Sequence, residues 1–320
     1  MVEKDLLVVD KDTKDIIVNG IWDRILSSNL TSQQSPKAYV IGGQPGAGKS
    51  TSTDKLEAQY NDNILTVDLD EYRSLHPNYK ALYEKYGKEL SSYTHEFAGE
   101  IKEEIQKRAI DAKYNIIIDG TLGNAERAEQ LIEGLKKEGY QVEVLIHTCP
   151  KEVSWQSVNE RYEDALNNGK IPRFVPKIVH DKIVEALPAN ADKLSQSKQI
   201  ESLTVHNRQE KIYDSKIDKG LPSISIQNEI NKNENKLSPD ISVKSKGDIF
   251  AKVVQAAGQK EENKRSILDE INKNENKLSQ NSSVKSQDDI FAKALQTAHQ
   301  KIENKRSISN EKSMNKGIEI

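Results

Sequence analysis

A three-layer α/β sandwich around a mostly parallel sheet is the fold the sequence predicts, and three observations predict it. Apolar runs of strand length alternate with helix-length amphipathic stretches from residue 38 to about 195. Two of those runs, 64–68 and 115–119, are near-continuous β-branched runs, as expected of strands covered on both faces by helices. The octapeptide Gly43-Gln44-Pro45-Gly46-Ala47-Gly48-Lys49-Ser50 fits G-x-x-x-x-G-K-[ST] between a strand and a helix. The pattern arises by chance in roughly one chain of this length in a hundred, and its context lowers that further. The sandwich is therefore expected to be a P-loop nucleoside-triphosphate-binding domain, followed by a helical or disordered C-terminal repeat tail.

Each element has its own signal. Residues 1–35 form an N-terminal helical segment, with Ile17, Ile21, Trp22, Ile25 and Leu26 on one stripe before a polar stretch from Thr31 to Pro36. The domain proper is placed at 36–221. Strands are expected at 38–42, 64–68, 115–119 and 141–147, with helices near 49–60, 94–113, 124–138 and 150–168. A short strand at 201–206 pairs with 211–214 to complete the sheet. The tail is placed at 222–320. Residues 229–267 recur at 270–308 with a period of 41, and 29 of 39 positions are identical. Each copy carries an amphipathic stretch: Ile249, Phe250, Val253, Val254 and Ala257 in the first, Ile290, Phe291, Ala294, Leu295 and Ala298 in the second. Two phenylalanines are too few for an independent core. A mostly disordered tail with two short helices is expected, and docking of those helices on a protein partner is the functional alternative.

Charge narrows the partners. The net charge of −3 conceals an asymmetry: residues 196–320 carry 22 Lys+Arg against 18 Asp+Glu, and residues 1–195 carry 25 against 32. An acidic body argues against a broad nucleic-acid footprint. Cys149 is the single cysteine, which excludes an intrachain disulfide framework and a thiolate metal cluster. No run approaches the ~18 apolar residues of a membrane span, and the start lacks the layout of a signal peptide. The expectation is a soluble cytoplasmic protein.

The octapeptide and the residue after it, Thr51, define a phosphate site. Glycines let successive main-chain N–H groups turn toward phosphate oxygens, and the following helix adds its positive end. Lys49 reaches the β/γ-phosphates of ATP and the Ser50 hydroxyl serves Mg²⁺. After the second strand, Val67-Asp68-Leu69-Asp70-Glu71 puts carboxylates at the C-terminal edge of the sheet. One of them can accept the proton of an attacking hydroxyl; N-capping by Asp70 is the structural alternative. The third strand ends in Asp119, which suits support of Mg²⁺ or of the attacking group. Arg161 lies in a helical stretch and Arg173 in a proline-flanked loop suited to a lid; arginines supply donors for a phosphoryl group in transfer. An ordinary ion pair is the alternative for Arg161. His180 and Cys149 are read as packing or hydrogen-bonding residues.

Taken together, the ordered set resembles the zeta-toxin family of P-loop kinases from bacterial toxin–antitoxin systems. The matching pieces are Gly42 to Ser50, Asp68 to Tyr72, His76-Pro77-Asn78, Tyr93 to Ala98, Ile118 to Leu122, Arg161-Tyr162-Glu163, Arg173 to Lys177 with His180-Asp181, and Leu187-Pro188. They span roughly residues 36–195. The resemblance implies phosphorylation of UDP-N-acetylglucosamine on its 3′-hydroxyl by ATP and Mg²⁺, and an antitoxin partner that blocks the nucleotide site. It assigns Asp70 as general base, Lys49 and Ser50 to phosphates and metal, and Arg161 and Arg173 to the transferred group. Asp119, Thr121 and Glu103 would hold the nucleotide sugar. The chain departs from the family in having Asp119 for a usual Glu, and in reading Leu122-Gly123-Asn124 where a basic residue is common. Two rivals stay open: a kinase of another acceptor (an antibiotic or a nucleic-acid end), and an ATP-binding interaction protein whose catalytic site has faded.

Overall fold

The computed structural model describes residues 6–232, and the two amphipathic stretches of the tail lie outside the described residues. Its six strands are β1 (Lys37–Gly43), β2 (Leu65–Val67), β3 (Ile116–Asp119), β4 (Gln141–His147), β5 (Ser202–His206) and β6 (Lys211–Asp214). They form one sheet in the order β2-β3-β1-β4-β5-β6. The first five run parallel, and β6 returns antiparallel to β5. Its helices are α1 (Lys11–Leu26), α2 (Ser50–Gln59), α3 (Leu69–Arg73), α4 (Tyr79–Tyr86), α5 (Leu90–Tyr93) and α6 (His95–Asp111). After these come α7 (Ala125–Lys137), α8 (Lys151–Asn167), α9 (Lys177–Ser195) and α10 (Pro222–Ile230).

Strand pleating sorts β1 between two cores. Ala38 and Val40 pack with Ile132, Leu135, Leu187 and Ala191 of α7 and α9. Tyr39 and Ile41 pack the other way, with Leu56 of α2 and Ile117 of β3. A third cluster joins Ile17, Val18 and Ile21 of α1 to Phe97, Ile101 and Ile105 of α6, so the N-terminal helix is part of the body. Leu26, expected on the buried stripe, is 58% exposed because α1 ends there in a Ser27 cap. Ile117 is fully enclosed; Ile117→Ala is expected to cost about 2–5 kcal/mol by denaturant unfolding.

Three expectations need correction. The second strand stops at Val67 rather than 68, because the Asp68 side chain accepts from Asp70 N at 2.9 Å and starts α3. Asp68, not Asp70, is therefore the N-cap of α3. Helix α9 escaped notice because Pro188 sits inside it, yet His180, Ile183, Val184, Leu187, Ala191 and Leu194 keep a continuous buried stripe. The boundary placed before residue 222 falls inside the folded body. Pro222 starts α10, whose Ile226 and Ile230 bury in the same core as β5 and α9, taking the first residues of the first repeat with them.

Candidate active site

The phosphate loop leaves β1 at Gly43 and enters α2 at Ser50. Two glycines are dictated by what lies behind the loop. A Cβ on Gly43 (φ 142°) would stand 2.0 Å from the His147 carbonyl oxygen, and one on Gly46 (φ 83°) 2.2 Å from that of Ser154. The loop is thus seated on β4 and on the first turn of α8. Pro45 and Ala47 are buried with it, and Gly48 is partly exposed. The Gln44 side chain is fully buried: its Nε2 donates to the Cys149 carbonyl (2.8 Å) and Ser154 Oγ (2.9 Å), and its Oε1 accepts from Thr148 Oγ1 (3.0 Å). Only the main chain of Gln44 is therefore left for a phosphate. Ser50 is exposed, and Thr51 follows it in the first turn of α2, where an anion is favoured. Arg208, in the β5–β6 turn, closes the loop from outside, donating to Gly46 O and Ser157 Oγ at 2.6 Å.

Three carboxylates gather beside Lys49. Asp119 ends β3 in register with Ile41 of β1, and the chain after it is bound to the phosphate strand by Gly43 N→Thr121 O (3.2 Å). Asp119 Oδ1 is buried and has no hydrogen-bond partner. Burial raises the Asp119 carboxyl to about 6, with Asp68 and Asp70 adding to the rise against Lys49 and Arg173. Asp68 is raised as well, by burial and then by Asp70. Asp70 goes the other way: burial would raise it, but Arg173, Arg73 and Lys49 together hold it below the ordinary value.

The arginines come from two sides. Arg173 forms an ion pair with Asp70 Oδ2, and Arg73 Nε donates to Asp70 Oδ1 at 2.7 Å. Arg73 is itself anchored by the Ser91 carbonyl at 2.6 Å. The segment 168–176 that carries Arg173 lies down on α5, where Ser91 Oγ donates to the Phe174 carbonyl at 3.3 Å. Arg161 of α8 is open to solvent, yet it stands in the field of the same cluster. Partial desolvation by the protein around it and then Arg173 lower its pKa, against the pull of Asp70, Asp68 and Asp119.

Thr121 is partly buried, its Oγ1 accepting from Gly123 N at 3.3 Å. Glu103 is exposed on α6, and its neighbour Lys102 is the residue that feels Asp68, Asp119 and Asp70. Burial lowers the Lys102 ammonium while those acids oppose the shift. Sequence reasoning passed over Arg73, Lys102 and Arg208. Arg73 carried a local signal, its i+3 spacing from Asp70; the other two are brought in only by tertiary packing.

A phosphate loop on the central strand, with a carboxylate and arginines meeting beside its lysine, suits transfer of a phosphoryl group. The fold and site are those of a P-loop phosphotransferase. The zeta toxin family model matches residues 23–218, and the chain belongs to that family. It is 34% identical over 209 residues to the toxin PezT of Streptococcus pneumoniae serotype 4 (strain ATCC BAA-334 / TIGR4), covering 65% of this chain and 82% of that one. It is 28% identical over 210 residues to the toxin zeta of Streptococcus agalactiae, covering 65% and 73%. A solved structure from the PezAT chromosomal toxin–antitoxin system of Streptococcus pneumoniae superposes with a TM-score of 0.62 at 26% identity, over 82% of this chain and 99% of that one.

Proposed function

We propose that the protein transfers the γ-phosphate of ATP to a sugar hydroxyl, the 3′-hydroxyl of UDP-N-acetylglucosamine, and acts as a zeta-type toxin. The observation that carries the proposal is the Asp70 carboxylate, ionised, joined to Arg73 and Arg173 and lying in the field of Lys49. The phosphate loop and Lys49 bind the triphosphate. Asp70 accepts the proton of the acceptor hydroxyl as its oxygen attacks the γ-phosphorus, the bond to the β-phosphate oxygen breaks, and ADP leaves. A bound γ-phosphate competes with Asp70 for Arg173, which frees the carboxylate for the proton. Arg161 and Arg173 then hold the charge spread over the phosphoryl oxygens. In this reading Asp119, Thr121 and Glu103 hold the nucleotide sugar.

Mg²⁺ fits the oxygen donors present, the exposed Ser50 hydroxyl and the unpartnered Asp119 Oδ1. Bound there with the nucleotide, it would neutralise phosphate charge. Family membership and the toxin–antitoxin relative support an antitoxin partner that covers the nucleotide site.

The test is direct. Purified protein with ATP, Mg²⁺ and UDP-N-acetylglucosamine should give a sugar nucleotide one phosphate heavier by mass spectrometry, and Lys49→Ala should give none. Transfer to a different hydroxyl compound would discard the acceptor and keep the reaction class.

A further inference from the structure

The two helices that flank the Arg173 segment are joined at their base to the phosphate loop by a continuous chain of hydrogen bonds, buried from Gln44 to His180. Gln44 Nε2 donates to Ser154 Oγ at 2.9 Å, and Ser154 Oγ lies 2.8 Å from His180 Nε2. His180 Nδ1 lies 3.0 Å from Asp181 Oδ1. Asp181 is held in turn by Lys177 of α9 at 2.9 Å and Lys151 of α8 at 3.4 Å. Gln44, Ser154 and His180 are each 0% exposed.

The chain has a direction. A ring nitrogen facing a carboxylate carries the proton, so His180 Nδ1–H donates to Asp181 and Nε2 accepts from the Ser154 hydroxyl. The hydroxyl has a single proton, and the Lys151 carbonyl, 2.8 Å away and one turn back in α8, is the alternative acceptor for it. The Trp155 ring lies beside the imidazole, its centroid 5.4 Å away and its plane tilted by 59°. Serine, histidine and aspartate in this order resemble a nucleophilic triad, but the complete enclosure of Ser154 keeps any substrate from its oxygen.

The position of the chain says what it does. Ser154 is on the first turn of α8 and His180 on the first turn of α9. Arg161 lies two turns farther along α8, and Arg173 precedes α9 by one short segment. We infer that His180 is a positioning residue for phosphoryl transfer: it locks the bases of α8 and α9 to each other and to Gln44, and so sets Arg161 and Arg173 relative to the bound phosphates. The inference rests on the kinase reading for its kinetic consequence and on the geometry alone for its mechanical one.

His180→Gln, Ser154→Ala and Asp181→Asn in the full chain test both. Amide hydrogen exchange over residues 168–176 should quicken in His180→Gln and Ser154→Ala, while the unfolding midpoint stays close to wild type. With ATP and the acceptor, kcat should fall about 10–100-fold with little change in the KM for ATP. In an Arg173→Ala background the further loss from His180→Gln should shrink, because part of its effect runs through Arg173 and only the part through Arg161 remains. Asp181→Asn, at the partly exposed end, should give a smaller loss and covers the case in which His180→Gln does not fold. Unchanged exchange over 168–176, or a kcat loss that adds in full to that of Arg173→Ala, overturns the inference. If wild type transfers no phosphate, the kinase reading falls and the exchange comparison alone decides the tie.

Discussion

Asp70→Asn is expected to lower the rate of phosphate transfer by about 10²–10⁴-fold while ATP affinity stays within a few-fold. The substitution keeps the shape of the side chain and removes its charge. Asn cannot take the proton from an attacking hydroxyl, and it pairs weakly with Arg73 and Arg173. The fold should survive, because α3 is capped by Asp68 and not by Asp70. The pH dependence separates this residue from its neighbour. Asp70 is held below its usual value, so its contribution to stability is full above the unfolded pKa and fades only as pH falls through the lower folded one. It should add no limb to the rate profile near neutrality. Rate measurements with binding by calorimetry check both halves; a variant that lost ATP binding in the same proportion would mark Asp70 as structural.

Asp119→Asn is expected to make the nucleotide-free protein more stable and less active. The Asp119 carboxyl is raised from 3.8 to about 6, chiefly by burial. The folded protein therefore holds this proton more tightly than the unfolded chain does. Stability falls as pH rises from about 4 to about 6, and the full cost is present above that. A shift of about two units corresponds to roughly 2–3 kcal/mol. At pH 7.5 the Asn variant should gain stability of that order, and the gain should disappear below about pH 4. Stored cost of this kind belongs to groups that serve a ligand, and a cation or a hydroxyl at the bare Oδ1 would relieve it. Urea unfolding of both proteins at pH 4, 6 and 7.5 gives the answer; a gain independent of pH would remove the carboxylate's charge from the explanation.

How far the sequence spoke depends on whether the signal was local. The strands were legible because Ile116, Ile117 and Ile118, or Val142, Val144 and Ile146, are buried by the sheet's own layering. The phosphate loop was legible because its glycines answer to backbone contacts that few other residues tolerate. Helices α3 and α5 were not, being only 5 and 4 residues long, and Pro188 hid α9. Gln44 looked like a ligand contact from its place in the motif, and tertiary packing turned its side chain inward to Cys149 and Ser154. The pairing of Asp70 with Arg173 crosses a hundred residues, so no spacing rule could state it. Lys102 is an ordinary lysine on a helix until β3 and α3 bring three acids to its side.

The most direct measurement follows the γ-phosphate of labelled ATP in the wild type and in Asp70→Asn with UDP-N-acetylglucosamine present. Label on the sugar nucleotide in the first and almost none in the second is the predicted result. Label released only as inorganic phosphate, or transfer indifferent to Asp70, would contradict the account.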